Sequence, residues 1–157
     1  MSKLKIGGIM QNVHLAKVGV MSVPDRPGIA GAILGALGQA GINVQFIVQC
    51  IDLRNQTQIV CCVGPEDAQR AQEALNRVKN DIGAQEIVIT PDVSIVSIFG
   101  PDFREIPGIA GTMFSALAEA GINILAISTS ISTISCVIAS AHLDDAVNTL
   151  SQVFDLP

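Results

Sequence analysis

The 157-residue sequence has no tryptophan and no tyrosine, and five phenylalanines bring its aromatics to only 3%. Stacking platforms for bases or sugars are therefore excluded as a main binding device. Charge is scarce as well: Asp, Glu, Lys and Arg make up 15% of the chain, with 9 basic against 14 acidic residues and a net charge of −5. The basic residues are scattered from Lys3 to Arg104 without a patch, which excludes nucleic acid as a partner. The four cysteines, Cys50, Cys61, Cys62 and Cys136, form no Cys-x-x-Cys pair and stand apart from His14 and His142. That spacing matches no common zinc site, and the cysteines are expected to be buried, reduced thiols. No Gly-rich phosphate loop, paired carboxylates or nucleophile–base spacing is found, so the expectation is no metal, no cofactor and no catalytic residues. Met1–Lys5 lacks the apolar core of a signal peptide, and a cytoplasmic protein is expected. Residues 27–51 carry no charge over 25 positions, but Gly38, Gly41, Asn43, Gln45 and Gln49 interrupt them. The stretch reads as a helix followed by a strand rather than as a membrane span.

What the chain does have is apolar surface and a repeat. Hydrophobic residues make up 49% of it, with a mean hydropathy of +0.50. Disorder is excluded, and some of that surface is expected to lie in a homodimer interface. Pro27-Gly28-Ile29-Ala30-Gly31 recurs as Pro107-Gly108-Ile109-Ala110-Gly111, and Ala40-Gly41-Ile42-Asn43-Val44 as Ala120-Gly121-Ile122-Asn123-Ile124. Eleven of the seventeen positions from 27 to 43 match their partners eighty residues on. Such agreement marks a duplicated unit.

Each unit reads in one order. Lys17–Val23 and Val93–Phe99 are β-rich runs that end at loop signals. Ile29, Ile33, Leu37 and Ala40, matched by Ile109, Met113, Leu117 and Ala120, form one apolar helix face that stops at Gly41 or Gly121. Val44–Ile51 with Thr57–Val63, and Ile124–Ser130 with Thr133–Ala139, are the next strand pairs. A second helix follows Pro65 in the first unit and Ser140, a candidate N-cap, in the second. The first unit adds the strand Glu86–Thr90. The second has no room for one, and the unmatched N-terminal segment Leu4–Met10 is available to supply it. The expected fold is α+β: two ferredoxin-like βαββαβ units, 15–91 inserted within a second made of 1–14 plus 92–157.

The run Asp25-Arg26-Pro27-Gly28-Ile29-Ala30, a short helix, and then Ala40-Gly41-Ile42-Asn43-Val44 resembles the ACT domain. Through Asn43–Gln49 and Asn123–Ser130, the tandem arrangement resembles the regulatory region of aspartate kinases, some of which have a separate β subunit of two ACT units. The resemblance implies a non-catalytic allosteric regulator that binds an amino acid, Lys or Thr by preference, between chains. It also implies a homodimer and a catalytic aspartate kinase chain as partner. Two departures stand out. Ile131-Ser132-Thr133 replaces a stretch that in the family carries an acidic and then a basic residue, and the loop Gly100–Ile106 is longer and more apolar than usual.

A free amino acid needs donors for its carboxylate and an acceptor for its ammonium group. The turn before each first helix leaves backbone N–H groups at the positive helix end, and Gly28 or Gly108 permits close approach to them. Asp25 is placed to attract an ammonium group, while Asn43 and Gln49 offer amides. Carried over by resemblance, the site comprises Asp25, Gly28, Ile29, Ala30 and Gln49, with Asn123 and Ile124 from a facing second unit. Pro27 stiffens the turn, and Gly108 and Ile109 repeat it. The competing readings are a free-standing amino-acid sensor for another enzyme or transporter, and a ligand-free structural dimer module. Asp-x-Pro-Gly ahead of a helix is also ordinary turn chemistry.

Overall fold

The computed structural model of the chain describes residues 2–101 and 103–157; Asp102, in the expected second turn, lies outside them. The elements in chain order are β1 (Gly8–Pro24), α1 (Ile29–Gln39), β2 (Phe46–Ile51), β3 (Gln56–Val63), α2 (Ala68–Ile82), β4 (Glu86–Phe99), α3 (Ile109–Glu119), β5 (Ala126–Thr129), β6 (Thr133–Ala139) and α4 (Leu143–Val153). A short 3₁₀ turn, Pro65–Asp67 or Ser140–His142, leads into α2 and α4. The chain separates into two compact units. One is His14–Asp92; the other joins the N-terminal residues up to Val13 to Val93–Pro157.

In the unit His14–Asp92 the strand order is β2-β3-β1-β4. β3 is antiparallel to both neighbours, with Val18 opposite Cys61 and Phe46 opposite Cys62. Val18, Val20, Ile59 and Cys61 from the sheet pack on Ile33 and Leu37 of α1 and Leu75 of α2. In the other unit the order is β1-β4-β6-β5, and Val96 lies opposite Cys136 in an unbroken antiparallel register. Val96, Ile98 and Cys136 pack there on Met113 and Leu117 of α3 and on Leu150 and Phe154 at the end of the chain. Each is a ferredoxin-like α+β unit with two helices on one face of its sheet.

Several expectations are corrected. Leu4–Met10 and Lys17–Val23 do not form separate strands: Gly8–Pro24 runs through, as does Glu86–Phe99. The joints that the sequence suggested fall inside long strands, at residues of positive φ, His14 (φ 55°) and Asp92 (φ 52°). Lys5 instead makes a lone parallel bridge with Asp155. Ser140 caps no helix; its hydroxyl shares a 2.7 Å hydrogen bond with that of Ser94. Cys50 is exposed, because β2 is the last strand in its order, while Cys61, Cys62 and Cys136 are buried.

Candidate effector loop and its supports

The loop that leads into α1 follows directly from sequence. β1 ends at Pro24, and α1 starts after Gly28, which adopts φ 95°, ψ −7°, a left-handed conformation that glycine reaches without strain. The first bond of the helix runs from the N–H of Ala32 to the carbonyl of Gly28, and no side chain caps the start. The amides of Ile29, Ala30 and Gly31 thus precede the hydrogen-bonded ladder, at the positive end of the helix dipole. A Cβ built on Gly28 would meet nothing within 4 Å. The far end of α1 closes as a Schellman motif, with Ile42 N–H on the carbonyl of Leu37 and Gly41 N–H on that of Gly38.

Asp25 is exposed, but its position is fixed from the β2–β3 turn. Its N–H donates to the carbonyl of Asn55 (3.1 Å), and its Oδ1 accepts from the hydroxyl of the fully buried Thr57 (3.3 Å). The turn is organised by Asp52, whose Oδ1 accepts from the N–H groups of Arg54 (2.8 Å) and Gln56 (3.1 Å). Those two bonds are the main reason that the Asp52 carboxyl is held below the ordinary carboxylate value, the bond from Gln56 first. Gln58 joins the turn to β1: its Nε2 donates to Asp52 Oδ2 (3.0 Å), and its Oε1 accepts from Ser22 N–H (2.9 Å). Arg26 is not a free loop residue, since its guanidinium donates to the carbonyl of Asp81 near the end of α2 (2.8 Å).

Asp25, Pro27, Gly28, Ile29 and Ala30 thus form one continuous segment, with Ile29 buried and Ala30 half-buried. Gln49 lies opposite Ile59, which lies opposite Val20, so it is on the helix side of the sheet two strands away from β1. Asn43 is exposed beyond the far end of α1, about 16 Å along an 11-residue helix from Gly28, and does not join the segment.

In the other unit Gly108 repeats the geometry (φ 93°, ψ −3°) ahead of the buried Ile109. A shallow groove of about 500 Å³ runs from Gly108 along α3, past Thr112, Ser115 and Glu119. Asn123 is exposed and Ile124 half-buried after α3. Sequence reading missed Asp52, Thr57 and Gln58, although Asp52-Leu53-Arg54-Asn55 carries the signature of an Asp-capped turn. Among the described residues, no three His, Cys, Asp or Glu side chains are grouped to hold a metal ion. No helix among them is long and apolar enough to cross a membrane.

Residues 18–80 and 96–154 each match the ACT domain family. Over 96% of its length the chain superimposes on 99% of the regulatory subunit of aspartate kinase from Thermus thermophilus, at 34% identity and a TM-score of 0.87. This chain belongs to the ACT-domain regulatory region of aspartate kinases. It is 38% identical over 151 residues to an aspartate kinase of Pseudomonas putida, matching 96% of this chain but only 37% of that protein. A solved structure of aspartokinase alpha and beta subunits includes a chain that it matches at 34% identity, covering 94% of this chain and 97% of that one (TM-score 0.86). The ACT units make this region regulatory rather than catalytic.

Proposed function

We propose that the chain senses Lys or Thr for an aspartate kinase and binds the amino acid between two copies of itself. The observation that carries this reading is the loop Asp25–Ala30. It combines an uncapped helix start, a glycine open to close approach, and an exposed carboxylate held by Thr57. The effector's carboxylate takes the amides at the start of α1, and its ammonium group takes Asp25. Pro27 stiffens the turn; Gln49 supplies an amide from β2, and Asn123 and Ile124 come from a facing second unit. Gly108 and Ile109 form the corresponding start there, and Asn43 is the most distant member of the set.

Homodimer formation is supported by the apolar residues on β2, the last strand in its order: Ile47 is 38% exposed and Ile51 52%, with Leu53 fully exposed just beyond. A catalytic chain as partner is supported by the solved alpha–beta assembly of a relative. We also propose that the first unit is an insertion within the second and that the protein is cytoplasmic. An effector that binds one assembly better than another shifts the equilibrium between them.

The test is a melting scan by circular dichroism with each amino acid at about 5 mM. A ligand at a hundred times its Kd adds about 2.7 kcal/mol, several degrees of Tm. Lys or Thr is expected to raise Tm in the parent and not in Asp25→Ala. A shift with a different amino acid would keep the sensor and discard the pathway. Light scattering that showed a 16.4 kDa monomer at micromolar concentration would remove the interface between copies.

A further inference from the structure

The β1–β3 pairing is interrupted between Val20 and Val23: Val20 lies opposite Ile59 and Val23 opposite Thr57. Met21 and Ser22 therefore share the single partner Gln58, which is a β-bulge, and Ser22 adopts φ 54°. A bulge leaves a ladder N–H without its backbone acceptor, and inside a sheet that group needs another. Gln58 supplies it. Its Oε1 accepts from Ser22 N–H at 2.9 Å, and its Nε2 donates to Ser22 Oγ (3.3 Å) and to Asp52 Oδ2 (3.0 Å). One amide thus fastens the bulge three residues before Asp25 to the Asp52 turn, and the Asn55 carbonyl of that turn and the Thr57 hydroxyl at the start of β3 hold Asp25 from the other side.

We propose that Gln58 is the positioning residue of the effector loop, setting the place of Asp25 by clamping the β1 bulge to the Asp52 turn. The inference rests on the reading of Asp25–Ala30 as an effector site. The chemistry is specific to an amide, which accepts at one end and donates at the other. Gln58→Glu keeps the acceptor for Ser22 but sets a second carboxylate against Asp52, and Gln58→Leu removes both functions. Asp52→Asn together with Gln58→Glu restores a donor–acceptor pair between the two positions, with its direction reversed.

Amide hydrogen exchange on the full chain reads loop position without any ligand, and calorimetry with L-lysine and with L-threonine reads the site. In Gln58→Leu and Gln58→Glu, protection at Ser22 and Asp25 is expected to fall about tenfold, the scale of one lost hydrogen bond, and amino-acid affinity by a similar factor. Gln58→Glu is expected to regain protection as pH falls below about 5, where the introduced carboxyl protonates and donates to Asp52. The double variant Asp52→Asn/Gln58→Glu is expected to return to within about twofold of the parent, above both single variants, a rescue that simple loss of packing would not give. Unchanged protection at Ser22 and Asp25 in Gln58→Leu, or a double variant no better than the singles, would overturn the proposal. If the parent binds neither amino acid, the effector reading fails, while the exchange data still decide whether Gln58 holds the loop.

Discussion

The two units begin their first helices with nearly the same backbone, Gly28 at φ 95° and Gly108 at φ 93°, and end them with the same Schellman bonds, Ile42 to Leu37 and Ile122 to Leu117. They differ at the strand that feeds the helix. β1 is bulged at Ser22 and tied by Gln58, Asp52 and Thr57 to the β2–β3 turn. β4 pairs with β6 without interruption from Val93–Ala139 to Phe99–Thr133; a Ser97–Ser135 hydroxyl pair (2.6 Å) takes a place in that ladder, and the exposed Ile131 stands in the next turn. A duplicated helix and cap can therefore be kept while the polar framework around its start diverges. Helix caps depend on a few local residues, whereas the framework depends on pairs far apart in sequence.

The largest test of equivalence lies in the cores. Leu37 and Leu117 are both fully buried at the same place in their helices, so Leu37→Ala and Leu117→Ala are each expected to cost about 2–5 kcal/mol. Urea unfolding followed by circular dichroism measures both, and a large inequality would show that one core collapses around the gap more easily than the other.

Alkali should separate the units next. Burial raises the thiols from 9.0 to about 11 for Cys61 and to about 12 for Cys62 and Cys136. Because the folded state favours the neutral thiol, this stability is complete below the unfolded thiol value and is lost as pH rises from about 9 toward 12. Tm is expected to fall over that range, and Cys136→Ala is expected to remove less of the fall than Cys61→Ala/Cys62→Ala. At pH 8 only the exposed Cys50 is expected to react with a thiol reagent in the folded protein, and all four cysteines after denaturation.

Glycine to alanine at 28 or 108 meets open space, so the cost is the left-handed backbone alone, about 1–2 kcal/mol at each position. Equal costs are expected; a higher one at 28 would mean that the clamped loop resists relaxing. The smallest effect is Ser140→Ala, about 1 kcal/mol for the lost bond to Ser94. Urea unfolding measures it, and an unchanged midpoint would show that the pair with Ser94 contributes nothing.

Much of this molecule was legible in the sequence because its signals are local. The repeated Pro-Gly-Ile-Ala-Gly and Ala-Gly-Ile-Asn motifs mark helix starts and stops, and four-residue apolar spacing marks the buried faces of α1 and α3. The resemblance to ACT domains rested on those same residues. Strand length was not legible: Val13-His14 and Pro91-Asp92 look like breaks, yet the strands Gly8–Pro24 and Glu86–Phe99 include them. Nor was the role of Ser140, whose partner Ser94 is 46 positions away.

Local residues alone specify the duplicated helix, its caps and the ACT family, because each is set by neighbours within a few positions. The bulge at Ser22, the Gln58 clamp across it, and the hold of Thr57 and Asn55 on Asp25 come from the folded sheet. Those bonds join residues thirty or more positions apart, and they exist only where antiparallel register brings β3 against the end of β1.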